Sequence, residues 1–190
     1  MNKTIKRVLL AFLVIALVFT AKYVYDIHLN YNFKNITEGK VYSSGVIPPE
    51  KIADYVADHN IKTIIDLRHP HIIDELNPAN GTDIALEAAA IEKIPGVRHV
   101  NIPSDQVPTQ QNLDSLFNVL DQEDAYPVLM HCYHGTGRAQ IYSAIYRIEY
   151  EDMPNEEARG KTRTMLKFSS FDDGKPKGEF LKKYVPRKGK

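Results

Sequence analysis

A single cysteine stands among 190 residues, so no disulfide can form within the chain and cysteine usage leaves the redox compartment open. Net charge is also missing, with 24 Lys and Arg against 24 Asp and Glu. That balance gives no compositional sign of nucleic-acid binding, and no nucleic-acid partner is expected. No internal repeat is visible, which excludes a repeat array. Long apolar runs are absent apart from one near the N-terminus. The length allows one domain plus an appendage, and 43% hydrophobic residues is ordinary for a globular chain.

The lone cysteine is the most informative residue present. Cys132 lies in His131-Cys132-Tyr133-His134-Gly135-Thr136-Gly137-Arg138. An apolar run, Tyr126–Met130, precedes this stretch and reads as a buried strand. A helical pattern follows, with Ile141, Ala144, Ile145 and Ile148 on one face. The stretch therefore joins a strand to a helix N-terminus. Gly135 and Gly137 can both take positive φ and turn successive N–H groups inward. The helix adds its positive dipole end. Arg138 offers a planar fork for two oxyanion oxygens. In that field the Cys132 thiol should ionise below its free value of about 8.5 and attack a bound tetrahedral anion at phosphorus. A merely structural cysteine leaves the glycines and Arg138 unexplained. A zinc site does not fit either, because His131, Cys132 and His134 crowd into four residues with no fourth ligand evident. No metal or cofactor is called for.

The apolar run Val8–Ala21 follows Lys3, Lys6 and Arg7. Phe19 is a poor fit to the small-residue pattern of a cleavage site. Val8–Tyr25 approaches the length of a membrane span, and Tyr23 and Tyr25 suit an interface. The expectation is a signal anchor over residues 1–25. The basic flank places the N-terminus in the cytoplasm and the following domain outside it, on the periplasmic side. Cleavage to a secreted or periplasmic form is the alternative. Residues 26–39 read as a juxtamembrane linker and 40–168 as the main domain. Residues 169–190 read as a basic tail, since Lys175–Lys190 holds seven Lys and Arg against Glu179 alone. The tail is either a solvated surface or a contact for anionic lipid or substrate. Asn35-Ile36-Thr37 and Asn80-Gly81-Thr82 match the glycosylation tripeptide, a short and weak signal.

Along the domain, strands are expected over Lys40–Ser44, Ile61–Leu67, Val97–Ile102 and from Tyr126. Helices are expected from Pro48 to Asn60, over Asp83–Ile94, and after Thr109. Further helices should follow Arg138, run from Met153 toward Phe168, and occupy Glu179–Tyr184. A loop rich in Asn, Pro and Gly covers Asp74–Gly81. This alternation predicts an α/β three-layer sandwich with a mostly parallel central sheet, preceded by the N-terminal hydrophobic helix. The Cys132 loop then lies at the carboxyl end of a central strand, where such sheets bind ligands.

Thiolate attack on a phosphate ester expels an oxyanion that needs a proton from the opposite side. Asp105 is the candidate donor, at a strand end between Pro103 and Pro108. The alternatives are that Asp105 only caps a turn, or that Asp66 at another strand end serves instead. Asp66 sits inside an apolar run and reads as structural.

Cys132-x5-Arg138 with the preceding His131 resembles the signature of cysteine-dependent phosphatases of the protein tyrosine and dual-specificity type. Together with Val41-Tyr42-Ser43-Ser44-Gly45, the run IKTIIDLR, the Asp105 loop and PVLMHCYHGTGRA, it resembles the small bacterial, fungal and plant subgroup that includes inositol pyrophosphate phosphatases. The resemblance covers roughly Lys40–Leu166. It implies Cys132 as nucleophile, Asp105 as acid, and Tyr133, His134, Gly135, Thr136, Gly137 and Arg138 as the phosphate cradle. His131 supports the loop without transferring protons. The implied substrate is a phosphotyrosine or other phosphoprotein, or an inositol phosphate or phosphoinositide. Two departures stand out. Ala139 occupies the place where most such enzymes carry Ser or Thr to assist the second step. The loop also lacks the Lys or Arg usual in inositol-phosphate members. Ala139 keeps an inactive, membrane-tethered phosphate-binding protein open as the alternative.

Overall fold

The computed structural model describes residues 2–71, 81–162 and 169–187. Most of the loop expected over Asp74–Gly81, including Asn80 of the second tripeptide, lies outside the described residues. So does the end of the helix expected to reach Phe168.

Helix α1 (Lys3–Val24) runs on into a π-helical turn, Tyr25–Leu29. No residue of α1 is buried. Through Leu29 it is the one described helix long and apolar enough to cross a membrane. A five-stranded sheet follows, in the order β1 (Lys34–Thr37), β2 (Val41–Ser44), β5 (Val128–His131), β3 (Thr63–Asp66), β4 (Arg98–Asn101). The pairings β2–β5, β5–β3 and β3–β4 are parallel, and β1 adds an antiparallel edge on β2. β1 lies inside the stretch expected as a linker. Four residues interrupted by a register shift between Asn35 and Thr37 leave too little alternation for the pattern to show.

Strand periodicity assigns the core. Side chains alternate between faces, so Val128 and Met130 join one apolar cluster and Leu129 the other. Ile65 and Ile64 divide in the same way. Helices α2 (Pro49–His59) and α3 (Gly81–Ile91) cover the Leu129 face through Ile52, Val56 and Ile91. The opposite face is covered by α4 (Gln110–Leu120), α5 (Arg138–Tyr150), α6 (Asn155–Lys161) and α7 (Pro176–Lys183). Both faces are covered, which is why the inner strands read as unbroken apolar runs.

The helix ends follow their local chemistry. Asn60 stops α2 in the left-handed region at φ 53°. Thr109 opens α4 with a reciprocal capping box to Asn112, an arrangement whose side-chain cap contributes about 1 kcal/mol. α3 starts at Gly81, ahead of the expected Thr82 cap, and ends at Ile91, before the expected Ile94. Its chain turns away before Gly96 at φ 78°.

The expected tail is part of the packed domain. Phe171 and Leu181 are buried in the main core. Arg187 forks onto Asp121, at 2.8 and 3.0 Å, and its Nε reaches Glu149 at 3.1 Å. Its guanidinium also lies 3.8 Å over the Phe117 ring.

Candidate active site

β5 is the central strand, and it delivers the chain at His131 into the loop 132–137, which enters α5 at Arg138. Glycine is required at position 135. Its φ is +72°, and a Cβ there would stand 2.5 Å from the Gly45 nitrogen. The loop therefore lies directly on the Ser44–Gly45 turn after β2.

Outer contacts fix the orientation of the loop's peptide groups. The carbonyl of Tyr133 accepts from the Val46 N–H at 3.0 Å. That of His134 accepts from Asn32 Nδ2 at 2.8 Å, and that of Gly135 from Gln140 Nε2 at 2.9 Å. In a planar trans peptide the following N–H points the opposite way. The N–H groups of residues 134–136 thus turn away from these partners. α5 starts at Arg138, and its N-cap Gly137 gives no side-chain cap to the first N–H groups.

Gly137 departs from the sequence expectation. Its φ is −110°, so it does not supply a left-handed turn. A Cβ here would meet only the flexible side-chain ends of Lys177, with Nζ at 2.9 Å, and Gln106, with Oε1 at 3.3 Å.

A cavity of about 180 Å³ opens over the loop. Cys132, His134, Thr136, Gly137 and Arg138 line it from the loop and helix, and Gln106, Ser170 and Lys177 from elsewhere. Tyr133 and Gly135 shape the loop but do not line this cavity. Arg138 is buried, and its Nη1 donates to the carbonyls of Leu67 at 2.8 Å and Ser104 at 3.2 Å. The guanidinium is thereby pinned to two neighbouring strand-end loops.

Asp105 is exposed and does not line the cavity, although its neighbour Gln106 does. Its loop is anchored beside the site. Tyr142 donates to Ser104 Oγ at 2.9 Å, and Ser104 Oγ donates to the Asp105 carbonyl at 2.9 Å.

Strand alternation also builds a buried ionic cluster behind the loop. Asp66 of β3 and His131 of β5 are register partners, and both point to the face covered by α3. Glu87 of α3 meets them, buried in helical spacing with Ile84 and Ile91. His131 Nε2 lies 2.7 Å from Glu87 Oε1 and 3.7 Å from Asp66 Oδ1. Arg68 forks onto Asp66 and donates to Glu87 at 2.7 Å. Burial pushes the His131 imidazole down, but the Glu87 and Asp66 carboxylates outweigh it and raise its pKa above the ordinary value. Burial pushes the Glu87 carboxyl up, and His131, His99 and Arg68 together hold it well below the usual range. Asp66, Glu87 and His99 come close enough together to hold a cation. Arg68 and His131 already bring positive charge to both carboxylates.

Glu87, Arg68, Gln106, Ser170 and Lys177 were not singled out by the sequence. Arg68 stands within the run IKTIIDLR, Lys177 within the basic run Lys175–Lys190, and Glu87 in phase with Ile84 and Ile91, but none of these patterns marks the single residue.

Solved structures share this fold. The core catalytic domain of the PP-IP phosphatase Siw14 from S. cerevisiae aligns with a TM-score of 0.59 at 15% identity, over 81% of this chain and 85% of that one. A DUF442 phosphatase from Shewanella putrefaciens aligns at 0.55 and 21%, over 78% and 87%. P. aeruginosa TpbA in complex with pTyr aligns at 0.55 and 18%, over 80% and 89%. No curated protein matches the chain. A family model spans residues 43–151, from β2 through the Cys132 loop to the end of α5, and by that match the chain belongs to the DSP-PTPase phosphatases of polymorphic toxin systems, the Tc-R-P family.

Proposed function

We propose that the protein hydrolyses phosphate monoesters through a phosphocysteine on Cys132. The observation that carries this reading is the convergence of Cys132, Arg138 and the uncapped start of α5 on one cavity. A substrate phosphoryl group sits in the loop with its oxygens on inward N–H groups and on Arg138. The Cys132 thiolate attacks phosphorus, and the bond to the leaving oxygen breaks as Asp105 gives that oxygen a proton. Water then attacks the phosphocysteine with Asp105 as base, releasing inorganic phosphate and the thiolate. Charge on the transferring group is met by fixed N–H dipoles and Arg138. His131, held between Glu87 and Asp66, orients the loop from behind.

The substrate is a phosphotyrosine or other phosphoprotein, or an inositol phosphate or phosphoinositide. The names of two fold relatives support those classes: Siw14 is a PP-IP phosphatase, and TpbA was crystallised with pTyr. α1 serves as a membrane anchor, and its fully exposed apolar surface supports that assignment. Its basic flank puts the domain outside the cytoplasm. Protease added to spheroplasts, with the inner membrane intact, should digest the domain, and full protection there would reverse the assigned side.

Phosphate release from p-nitrophenyl phosphate, phosphotyrosine peptides, phosphoinositides and inositol phosphates tests the activity. The protein should turn over at least one class, and Cys132→Ser should abolish turnover. Full activity in Cys132→Ser would remove Cys132 from the chemistry. A second reading comes from Ala139. Protein that binds phosphate yet releases none from any substrate would be a phosphate-binding protein in place of an enzyme.

A further inference from the structure

The family match ends at residue 151, but the cavity does not. Its outer wall carries Lys177 from α7 and Ser170 from the preceding loop. Lys177 is 7% exposed, and its ammonium sits against Gly137 at the point where the phosphate loop becomes α5.

The position of Lys177 is built. Gly178 has no room for a side chain, since a Cβ would stand 2.2 Å from the Asp172 carbonyl oxygen. That contact locks the first turn of α7 onto 171–172. The Lys177 ammonium lies 5.6 Å over the Phe171 ring, and Phe171 is buried in the main core. The bare Gly137 clears the space into which Nζ projects. Among the described residues no carboxylate pairs with Lys177. Burial pushes its pKa down, Cys132 opposes that shift, and Arg138 adds to it. A nearly buried ammonium that meets no carboxylate among the described residues, beside the Arg138 cation and the Cys132 sulfur and facing an open cavity, is an arrangement that an anion completes.

We propose that Lys177 is a substrate-binding residue of the phosphate site, a second cation that α7 adds beside Arg138 to hold the phosphoryl group. It takes over the role of a basic residue within the loop, where this chain has only Tyr133, His134 and Thr136 at the variable positions. The cation reaches the site from 39 positions beyond Arg138, so the C-terminal segment belongs to the binding machinery. This inference rests on the phosphate-site reading above.

The test is binding of inorganic phosphate to the full chain in detergent, measured by calorimetry with Cys132→Ser as the parent. Binding needs no turnover, so the second chemical step does not enter. The parent should bind phosphate. Adding Lys177→Met, which keeps the apolar stem against Phe171, should weaken binding about tenfold, the scale of a charge-assisted hydrogen bond. Adding Lys177→Arg should restore most of it. Thermal melts report whether each variant is folded, and Lys177→Gln serves if the Met variant is not. Unchanged affinity in a folded Lys177→Met or Lys177→Gln protein overturns the role of Lys177 while leaving the phosphate site intact. A parent that binds no phosphate overturns both. In active protein, Lys177→Met should raise KM more than it lowers kcat, and a fall confined to kcat contradicts a binding role.

Discussion

In the proposed mechanism Asp105 and Ala139 bear on two different steps, which can be separated experimentally. Asp105 is exposed and adjoins Gln106, which lines the cavity. Asp105→Asn should lower kcat on alkyl phosphates by roughly 10²–10⁴-fold and much less on p-nitrophenyl phosphate, whose leaving group needs little help. A small, uniform effect would move the acid to another residue. Ala139 concerns the second step. It is buried at the start of α5, and no hydroxyl at that position assists the departing thiolate. Rapid mixing should therefore show a burst of phenol release followed by slow turnover. Ala139→Ser should raise the slow rate and leave the burst amplitude unchanged. Gly135 and Gly137, grouped together by the sequence, separate here. Alanine at 135 collides with the backbone of Ser44 and Gly45, whereas alanine at 137 meets only the ends of Lys177 and Gln106.

Among the elements, β3, β5 and α3 are joined behind the loop by Asp66, Arg68, Glu87 and His131, all buried. Glu87→Gln leaves Arg68 and His131 short of a buried counter-charge and should cost about 3–5 kcal/mol at neutral pH. The pH dependence has two limbs. The Glu87 pKa is depressed, so its contribution is present above its ordinary value of 4.5 and is lost as pH falls toward the folded value. The His131 pKa is raised, so its contribution is complete below 6.5 and is lost as pH rises through the folded value. Thermal melts against pH should show wild type converging on Glu87→Gln in acid. A constant gap across that range would contradict the assignment. Much of this scale was legible in advance. The β3 and β5 runs, the Asn60 stop and the Thr109 cap all have local signatures, and each element formed where those signatures put it. The cluster was not legible, because burial of Glu87 depends on which strands α3 crosses. Lys177 was hidden for the same reason: a basic run looks alike whether solvated or folded back onto a cavity.

At the scale of the whole molecule, the segments on both sides of the family-matched region are tied to the site. Before it, the Tyr31 carbonyl accepts from the Gly45 N–H at 2.7 Å, and Asn32 holds the His134 carbonyl. Tyr31 and Asn32 both take φ of 50°, so the chain reverses sharply between the π-helical turn and β1. A soluble fragment starting at residue 26 should retain the hydrolytic activity of the full chain in detergent. One starting at residue 38 lacks β1 and the contacts of Tyr31 with Gly45 and of Asn32 with His134, and it should lose stability and activity together. Equal activity in the two fragments would show that these contacts are dispensable. Beyond the family-matched region, Phe171, Leu181 and Arg187 fasten the C-terminal segment to the core, and Lys177 completes the cavity wall.

The proposed mechanism depends on the Cys132 sulfur receiving the phosphoryl group. Acid quenching of the protein during the burst, followed by peptide mass spectrometry, tests this directly. The account requires one phosphoryl group on the peptide containing Cys132, absent in Cys132→Ser and accumulating further in Asp105→Asn with p-nitrophenyl phosphate. Turnover with no phosphorylated Cys132 at any quench time, or with the phosphoryl group on another residue, would contradict it.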